Sequence, residues 1–226
     1  MESNSIIILE NAVIQHQTEP LLSEVNLRID KGEFVYLIGK SGTGKTSLFR
    51  TLYADMPLAG GNGEVCGFDI SNIKKSKIPM LRRKMGIVFQ NFRLLTDRDV
   101  YSNLYFVLRA IGWKKKKDID ARITEVLEAV GLADKATFPV YRLSEGEQQR
   151  VGIARAIANE PELILADEPT GNLDPITSEE IMNLLVDINQ KMNTTVLIST
   201  HDYIMIEKFH SRVICCENGK LVEPMQ

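Results

Sequence analysis

The sequence predicts an α/β fold with a parallel sheet core, an antiparallel β edge and an inserted α-helical subdomain. Segments with strand character alternate with segments of helical pattern, which is typical of a parallel sheet. Residues 34–38 form a short, almost wholly apolar run, as expected of a strand buried on both faces. Residues 5–9 and 25–29 have the character of antiparallel edge strands, and the largely helical residues 92–158 predict the insert.

The remaining elements follow in chain order. A glycine-rich turn after residue 38 leads into a helix from about Lys45 to Ala54, and residues 86–90 form the next strand. Residues 99–131 are helical, with these predicted bounds: Asp99 and Asp118 as N-caps, and Gly112 and Gly131 as stops. The later predicted elements are a helix capped by Ser144, strands at 163–166 and 195–199, a helix opened by Asp174-Pro175, and a hairpin of 213–216 with 220–222 around Asn218-Gly219.

The chain of 226 residues is long enough for one large α/β domain, and no low-complexity linker or internal repeat divides it. We therefore expect a single domain over residues 1–226. Residues 1–91 and 159–226 form its predicted α/β core, and residues 92–158 form the helical insert.

Composition excludes several classes of protein. A formal net charge of -3 argues against direct nucleic-acid binding through bulk charge. No apolar run approaches the roughly 18 residues that a membrane span needs, and the first residues lack the features of a secretory signal. We therefore expect a cytoplasmic protein that reaches a membrane only through a partner. The odd count of three cysteines predicts neither a disulfide framework nor a zinc site.

A phosphate-binding loop follows the apolar run at 34–38. Residues 39–46 match the full Walker A pattern and lie between a predicted strand and a predicted helix, which predicts a P-loop NTPase (RecA-like) core. In such a loop Lys45 bridges the β- and γ-phosphates, and the Thr46 hydroxyl binds Mg²⁺. The predicted phosphate-binding residues are Gly39, Lys40, Ser41, Gly42, Thr43, Gly44, Lys45, Thr46 and Ser47.

Two acidic residues end the apolar strand predicted at 163–166. Asp167 stands where Walker B acids hold Mg²⁺, and Glu168 is placed to act as general base on the attacking water. Two acids at a strand end would, on their own, favour an exposed loop. After a complete Walker A motif, they predict a nucleotide hydrolase. A GTPase is disfavoured because no Asn-Lys-x-Asp motif is present. The Walker A and B positions predict Mg²⁺ as the metal.

Residues 143–148 have the sequence Leu-Ser-Glu-Gly-Glu-Gln and lie shortly before the acidic strand end. This segment between the two Walker motifs resembles the signature of the ATP-binding-cassette (ABC) ATPases, and the resemblance covers nearly the whole chain. The sequences at 148–157 and 167–174 strengthen it. The resemblance implies an ABC nucleotide-binding domain in which two copies sandwich two ATP molecules.

The resemblance also implies roles for single residues. By their places in the family's motifs, Ser144, Gly146 and Glu147 contact the ATP of the other subunit. Gln90 contacts Mg²⁺ and senses a membrane partner. Asp174 links the two sites, and His201 contacts the γ-phosphate. His16 stands where the family usually stacks an aromatic ring on adenine, so weaker ATP binding is expected. Glu145 replaces the first glycine of Ser-Gly-Gly and brings negative charge toward a phosphate-binding helix end.

Within the ABC ATPases, the chain resembles the FtsE family of cell-division ATP-binding proteins. The residues that carry this resemblance are 82–90, 94–103 with the stretch Asp-Arg-x-Val-Tyr-x-Asn, and 147–155. It implies a polytopic membrane subunit, FtsX, as partner, and regulation of peptidoglycan hydrolysis during bacterial cell division. It also implies an ATP-dependent homodimer at the cytoplasmic face of the plasma membrane.

Residues 91–112 are expected to dock the membrane subunit because they begin next to Gln90. Four apolar residues there predict a covered patch: Phe92, Leu94, Leu95 and Tyr101. The run Lys114–Lys117 predicts a solvated loop between helices, which is favoured over a membrane-surface or nucleic-acid site. An intermediate interpretation is that it faces anionic headgroups when the partner docks nearby.

Other functions stay open at this point. One is the ATPase of a lipoprotein-release or macrolide-export ABC transporter. Another is a nucleotide-gated scaffold with little turnover, which His16 and Glu145 favour and which Glu168 and His201 oppose. A DNA-repair ATPase of the structural-maintenance type is disfavoured because no sustained heptads separate the Walker motifs.

Overall fold

A six-stranded sheet forms the centre of the fold in the computed structural model, which describes residues 4–223. Its strands are β3 (Phe34–Ile38), β6 (Met85–Val88), β7 (Leu163–Asp167), β8 (Thr195–Thr200), β9 (Arg212–Glu217) and β10 (Lys220–Val222). Their spatial order is β10-β9-β3-β8-β7-β6, and every neighbouring pair except β9 and β10 is parallel. The predicted parallel core and the hairpin around residues 218–219 are both confirmed.

A second sheet is antiparallel, as predicted for the edge. It consists of β1 (Ser5–His16), β2 (Glu19–Asp30), β4 (Gly60–Val65) and β5 (Phe68–Asp69), in the order β2-β1-β4-β5. β1 and β2 are longer than the predicted 5–9 and 25–29. β4 was not predicted, because a segment that reads Gly-Gly-Asn-Gly has low strand propensity and pairs only because β1 supplies its partner.

The described residues form seven α-helices. They are α1 (Lys45–Leu52), α2 (Ile78–Arg83), α3 (Val100–Ala110), α4 (Lys116–Ala129), α5 (Glu145–Ile157), α6 (Pro175–Met192) and α7 (Tyr203–Lys208). Asp99, Ser144 and Asp174 cap α3, α5 and α6 as predicted. The N-cap prediction for Asp118 is wrong: α4 begins at Lys116, and Asp118 lies in its first turn, where its charge favours the helix N-terminus.

β6 ends at Val88, two residues earlier than the predicted strand at 86–90. Phe92 and Arg93 adopt φ angles of 50° and 49°, in the left-handed region that a strand does not use. Gln90 therefore lies in a loop at the carboxyl edge of the central sheet rather than inside β6.

Two hydrophobic cores pack on opposite faces of the central sheet. Tyr36 of β3 points into the core shared with α3–α6, whereas Val35 and Leu37 point into the core shared with α1 and the antiparallel sheet. Helices α3–α5 lie between β6 and β7 in the chain, where the insert was predicted, although its boundaries stay a prediction. α5 approaches β6 closely, because a Cβ at Gly86 would lie 2.5 Å from the carbonyl oxygen of Ala156.

Within residues 4–223, no helix combines the length and the apolar character that crossing a bilayer requires.

Candidate functional site

The Walker A loop connects β3 to α1 at the carboxyl edge of the parallel sheet. Gly42 and Gly44 have φ angles of 81° and 102°, which a residue with a side chain rarely adopts. Gly39 allows a close approach to β9, since a Cβ there would lie 2.6 Å from the carbonyl oxygen of Cys216. The Cys216 thiol donates a hydrogen bond to the Thr43 carbonyl oxygen at 3.1 Å, so β9 supports the loop from behind.

Lys45 carries a buried positive charge at this loop. Its side chain is 6% exposed, and its Nζ donates to the carbonyl oxygens of Gly39 at 2.7 Å and Lys40 at 3.1 Å. Among residues 4–223, no carboxylate lies within ion-pair distance of this ammonium. A buried charge without a counter-ion is costly, so the site fits a group that brings negative charge, such as a phosphate.

A cavity of about 330 Å³ lies in front of the loop. Its lining residues are Leu21, Ser41, Gly42, Gly44, Lys45, Thr46, Ser47, Gln90 and Glu168. The structure thus brings the predicted phosphate-binding loop together with Gln90 and Glu168. Leu21 was missed because it lies in a strand of the antiparallel sheet. No sequence motif around it indicates a nucleotide site.

His16 lies apart from this lining. It is exposed at the end of β1 and pairs with Glu19 across the β1–β2 turn. Its predicted role as adenine platform stays a prediction.

Asp167 is the last residue of β7, and its orientation is set by the neighbouring strand β8. Its Oδ1 accepts a hydrogen bond of 2.5 Å from the Ser199 hydroxyl, while the Ser199 carbonyl accepts one of 3.0 Å from the Glu168 N–H. Ser199 lies in the strand predicted at 195–199, and no motif marks it as part of the site. Its role becomes visible only once parallel pairing sets Asp167 opposite Ser199.

The Glu168 carboxylate lies between the two other residues predicted to be catalytic. Its Oε2 accepts a hydrogen bond from Gln90 Nε2 at 3.2 Å, and its Oε1 lies 3.3 Å from His201 Nδ1. Glu168 has a φ of 47°, an uncommon conformation for a residue with a side chain. These contacts hold the carboxylate at the mouth of the cavity that Lys45 lines.

The signature segment builds the start of α5. The Glu147 N–H donates to Ser144 Oγ at 3.2 Å, and the Ser144 N–H donates back to Glu147 Oε2 at 2.9 Å, which is a complete capping box. The hydrogen bond from the Ser144 backbone lowers the pKa of Glu147. Glu145 is exposed in the first turn of α5. No residue of this segment lines the cavity in front of the Walker A loop.

Asp174 and Gly146 are brought together by a residue that sequence analysis missed, Thr177. Asp174 Oδ2 accepts a 2.5 Å hydrogen bond from the Thr177 hydroxyl, which lowers the pKa of Asp174. A Cβ at Gly146 would lie 2.5 Å from Thr177 Cγ2. The first turns of α5 and α6 are therefore in contact, and the two motifs share one surface.

Comparison with known proteins decides the family. The model of the family described as ABC transporter matches residues 22–171. The chain belongs to the ABC transporter family.

Individual ABC proteins resemble the chain over nearly its whole length. The cell division ATP-binding protein FtsE of Mycobacterium tuberculosis is 45% identical, over 98% of this chain and 96% of its own. The methionine import ATP-binding protein MetN of Carboxydothermus hydrogenoformans is 42% identical, over 96% of this chain and 65% of its own. A dimeric structure of the ATP-binding cassette MJ0796 in a post-hydrolysis state, bound to ADP and Pi, is 32% identical, with a TM-score of 0.84, over 97% of this chain and 99% of that one.

The ABC fold that the motifs predicted is thus confirmed, with its P-loop core, antiparallel edge and helices between β6 and β7. Membership makes the chain an ABC-type ATPase. The roles of the individual site residues stay predictions.

Proposed function

We propose that the chain is the ATP-binding and hydrolysing subunit of a bacterial cell-division complex, with a polytopic membrane subunit like FtsX as its partner. ATP-driven dimerisation at the cytoplasmic face of the plasma membrane would regulate peptidoglycan hydrolysis through that partner. The cell-division role is supported by the FtsE relatives, 45% identical in the example above. The hydrolytic role is supported by one observation above all: Gln90 and His201 hold the Glu168 carboxylate at the cavity that Lys45 lines.

The proposed reaction uses these groups in a fixed order. Lys45 and the amides of the Walker A loop bind the β- and γ-phosphates of ATP. Glu168 accepts a proton from a water molecule while the oxygen of that water forms a bond to the γ-phosphorus. The bond between that phosphorus and the β–γ bridging oxygen breaks, and ADP keeps the bridging oxygen. His201, beside Glu168, is placed to donate a hydrogen bond to the γ-phosphate.

The side-chain oxygens of the residues predicted to bind metal fit Mg²⁺. Thr46 would offer a hydroxyl, Gln90 an amide oxygen and Asp167 the carboxylate oxygen that Ser199 does not occupy. Mg²⁺ prefers hard oxygen ligands of this kind, and its sites commonly combine one protein carboxylate with phosphate oxygens of the substrate. When bound, Mg²⁺ supplies charge neutralisation at the phosphates.

The separation of the two halves of the site supports an ATP-dependent homodimer. Lys45 and Glu168 line the cavity, whereas Ser144 and Gly146 lie elsewhere on the same chain. A second copy would bring its α5 N-terminus, with its favourable partial charge, toward the γ-phosphate. Because ATP binds the closed dimer preferentially, it shifts the population toward that state.

Phosphate release from Mg-ATP tests the proposal. We expect turnover by the purified chain or its membrane complex, and at least about a hundredfold less from Lys45→Ala, since the variant loses the charge that meets the phosphates. Lys31→Ala is the matched control, because Lys31 is exposed before β3, at the other end of that strand. Absence of turnover with and without the membrane subunit would favour the scaffold with little turnover instead.

A methionine-import role is the second candidate, because the MetN relative is nearly as similar. Co-purification from membranes separates the two, since each role requires a different membrane partner. Recovery of a lipoprotein-release or macrolide-export subunit would identify the other class of transporter considered above.

The apolar residues of the predicted docking surface differ in how the fold holds them. Tyr101 is half-buried, its hydroxyl donates to Asp120 at 2.6 Å, and its ring stacks on Tyr105. The hydrogen bond to Asp120 raises the pKa of Tyr101 to about 12. Phe92 and Leu94 are half-buried, whereas Leu95 is 40% exposed.

Leu95→Asp is therefore the variant of choice at this surface. We expect it to abolish co-purification with the membrane subunit and to leave basal ATP hydrolysis within about twofold, because Leu95 is 40% exposed and is not among the residues packed against either hydrophobic core. Val222→Asp, at a similarly exposed residue on β10, serves as the control. Joint loss of docking and hydrolysis would show that Leu95 supports the fold and is not a contact for the partner.

His16 provides a test of nucleotide affinity. His16→Tyr is expected to lower the ATP concentration for half-maximal binding about threefold to tenfold, because a larger ring stacks better on adenine. Equilibrium titration with a fluorescent ATP analogue measures this shift, and Gln17→Tyr next to it is the control. Weaker binding by His16→Tyr would mean that another residue near the β1–β2 turn carries the adenine.

A further inference from the structure

Eight basic residues outside the nucleotide site lie in two segments of the chain. We call them the basic surface: Lys74, Lys75, Lys77, Arg83 and Lys114–Lys117. All eight side chains are exposed, although the chain as a whole has a formal net charge of -3. Positive charge is therefore concentrated in a protein that is acidic overall.

Contacts around Asn159 bring Arg83, at the end of α2, next to the start of the lysine run. Asn159 donates a hydrogen bond to the backbone carbonyl of Arg83, and its Oδ1 accepts one from Trp113 Nε1 at 3.4 Å. A Cβ at Gly112 would lie 3.8 Å from the Arg83 guanidinium. The end of α2 thus lies beside the α3–α4 connection, which places Arg83 next to the start of the lysine run.

The connection itself is held in shape by Arg109. Its guanidinium donates to the carbonyl oxygens of Trp113 at 3.0 Å and Lys114 at 3.1 Å. Lys116 and Lys117 continue into the first turn of α4, so the predicted loop is partly helical. The lysine run is consequently presented by a fixed backbone.

The basic surface keeps most of its positive charge among residues 4–223. In the described part of the chain none of its eight side chains forms an ion pair, whereas Lys84, Lys191 and Lys208 each contact a carboxylate. Asp118 follows the run directly and offsets one of its four charges. Exposed apolar groups occur nearby in the chain: Met80 of α2 is 46% exposed and Phe106 of α3 is 61% exposed.

We propose that the basic surface binds the anionic headgroups of a lipid bilayer. Clustered lysines attract anionic lipids at about fivefold per residue, and exposed apolar side chains enter the interface beside them. The features favour lipid over an acidic protein segment, because seven of the eight cations are lysines, which act as flexible point charges without the fixed fork of arginine. None of the eight lines the cavity in front of the Walker A loop, so the basic surface is separate from the nucleotide site.

Co-sedimentation with vesicles tests this inference on the full chain. We expect the parent to bind phosphatidylcholine vesicles that contain phosphatidylglycerol, to ignore pure phosphatidylcholine, and to dissociate in high salt. A variant with Lys114–Lys117 all changed to Gln should bind at least about a hundredfold more weakly, given about fivefold per lysine. The assay contains no nucleotide, so its result is separate from that of the proposed ATPase.

A second variant controls for total charge. It changes four exposed lysines away from the basic surface to Gln: Lys31, Lys191, Lys208 and Lys220. Both variants lose four positive charges, so retention of binding by this one assigns the effect to location. Equal loss in both variants would overturn the inference, and so would a parent that does not bind the anionic vesicles. Capture of a polyglutamate peptide without vesicle binding would likewise overturn it, in favour of an acidic protein partner.

Discussion

Glu168→Gln is expected to lower phosphate release about 10²- to 10⁴-fold while ATP binding persists. The amide cannot accept the proton of the attacking water. It is nearly the same size as the carboxylate, so the contacts with Gln90 and His201 lose charge but keep their shape. Lys45 and the loop in front of it are untouched, and the phosphates are therefore still bound.

This variant should also accumulate as an ATP-bound dimer, because the closed state forms and is not consumed. Light scattering with Mg-ATP measures the mass, and phosphate release is followed in the same samples. Glu162→Gln is the matched control: Glu162 is exposed just before β7, where it pairs with Lys84. Parental turnover by Glu168→Gln would remove Glu168 from the role of general base.

The sequence was informative wherever a motif has a local physical cause. The strand at 34–38, the glycine turn after it and the start of α1 lie within a dozen residues, and short-range geometry determines all of them. The same is true of the cap at Ser144, where donor and acceptor are three residues apart. Such features can be predicted because the interacting groups are already neighbours in the chain.

The residues that were missed depend on pairing over long distances in the chain. Ser199 acts on Asp167 only because β7 and β8 are parallel neighbours, and Leu21 reaches the cavity only because the second sheet folds over the loop. β4 is visible only through its partner β1. Periodicity carries no information about such contacts, so single-sequence reasoning places the motifs and leaves their supporting residues unassigned.

The contact between Gly146 and Thr177 makes ATP-driven dimerisation sensitive to a substitution at Gly146. Gly146→Ala places a methyl group 2.5 Å from Thr177 Cγ2, so the first turns of α5 and α6 must move apart. Overpacking of this kind costs about 1–3 kcal/mol. Because the proposed dimer uses both Ser144 and Asp174 from the same chain, their relative position decides how well two copies close. We expect ATP-driven dimerisation of Gly146→Ala to weaken about tenfold to a hundredfold.

Binding of ATP to a single chain should change little in Gly146→Ala, because Gly146 does not line the cavity in front of the Walker A loop. Titration of the monomer with a fluorescent ATP analogue should therefore show unchanged ATP affinity, whereas light scattering should show weaker dimerisation. Gly152→Ala in the same helix is the matched control, since a Cβ there comes no closer than 3.8 Å to Gln149 Oε1.

The new methyl group at residue 146 can act by pushing α5 away from α6 or by contacting the ATP of the other subunit. A second substitution separates these two effects. Thr177→Ser removes Cγ2 and keeps the hydroxyl that donates to Asp174, so Gly146→Ala with Thr177→Ser should recover most of the dimerisation. Thr177→Val keeps a methyl group and loses the hydroxyl, so it should rescue nothing. A double-mutant cycle then gives the interaction between the two sites directly. If Thr177→Ser fails to rescue, the methyl group acts on the ATP of the other subunit, and the packing of α5 on α6 is not what holds the signature in place.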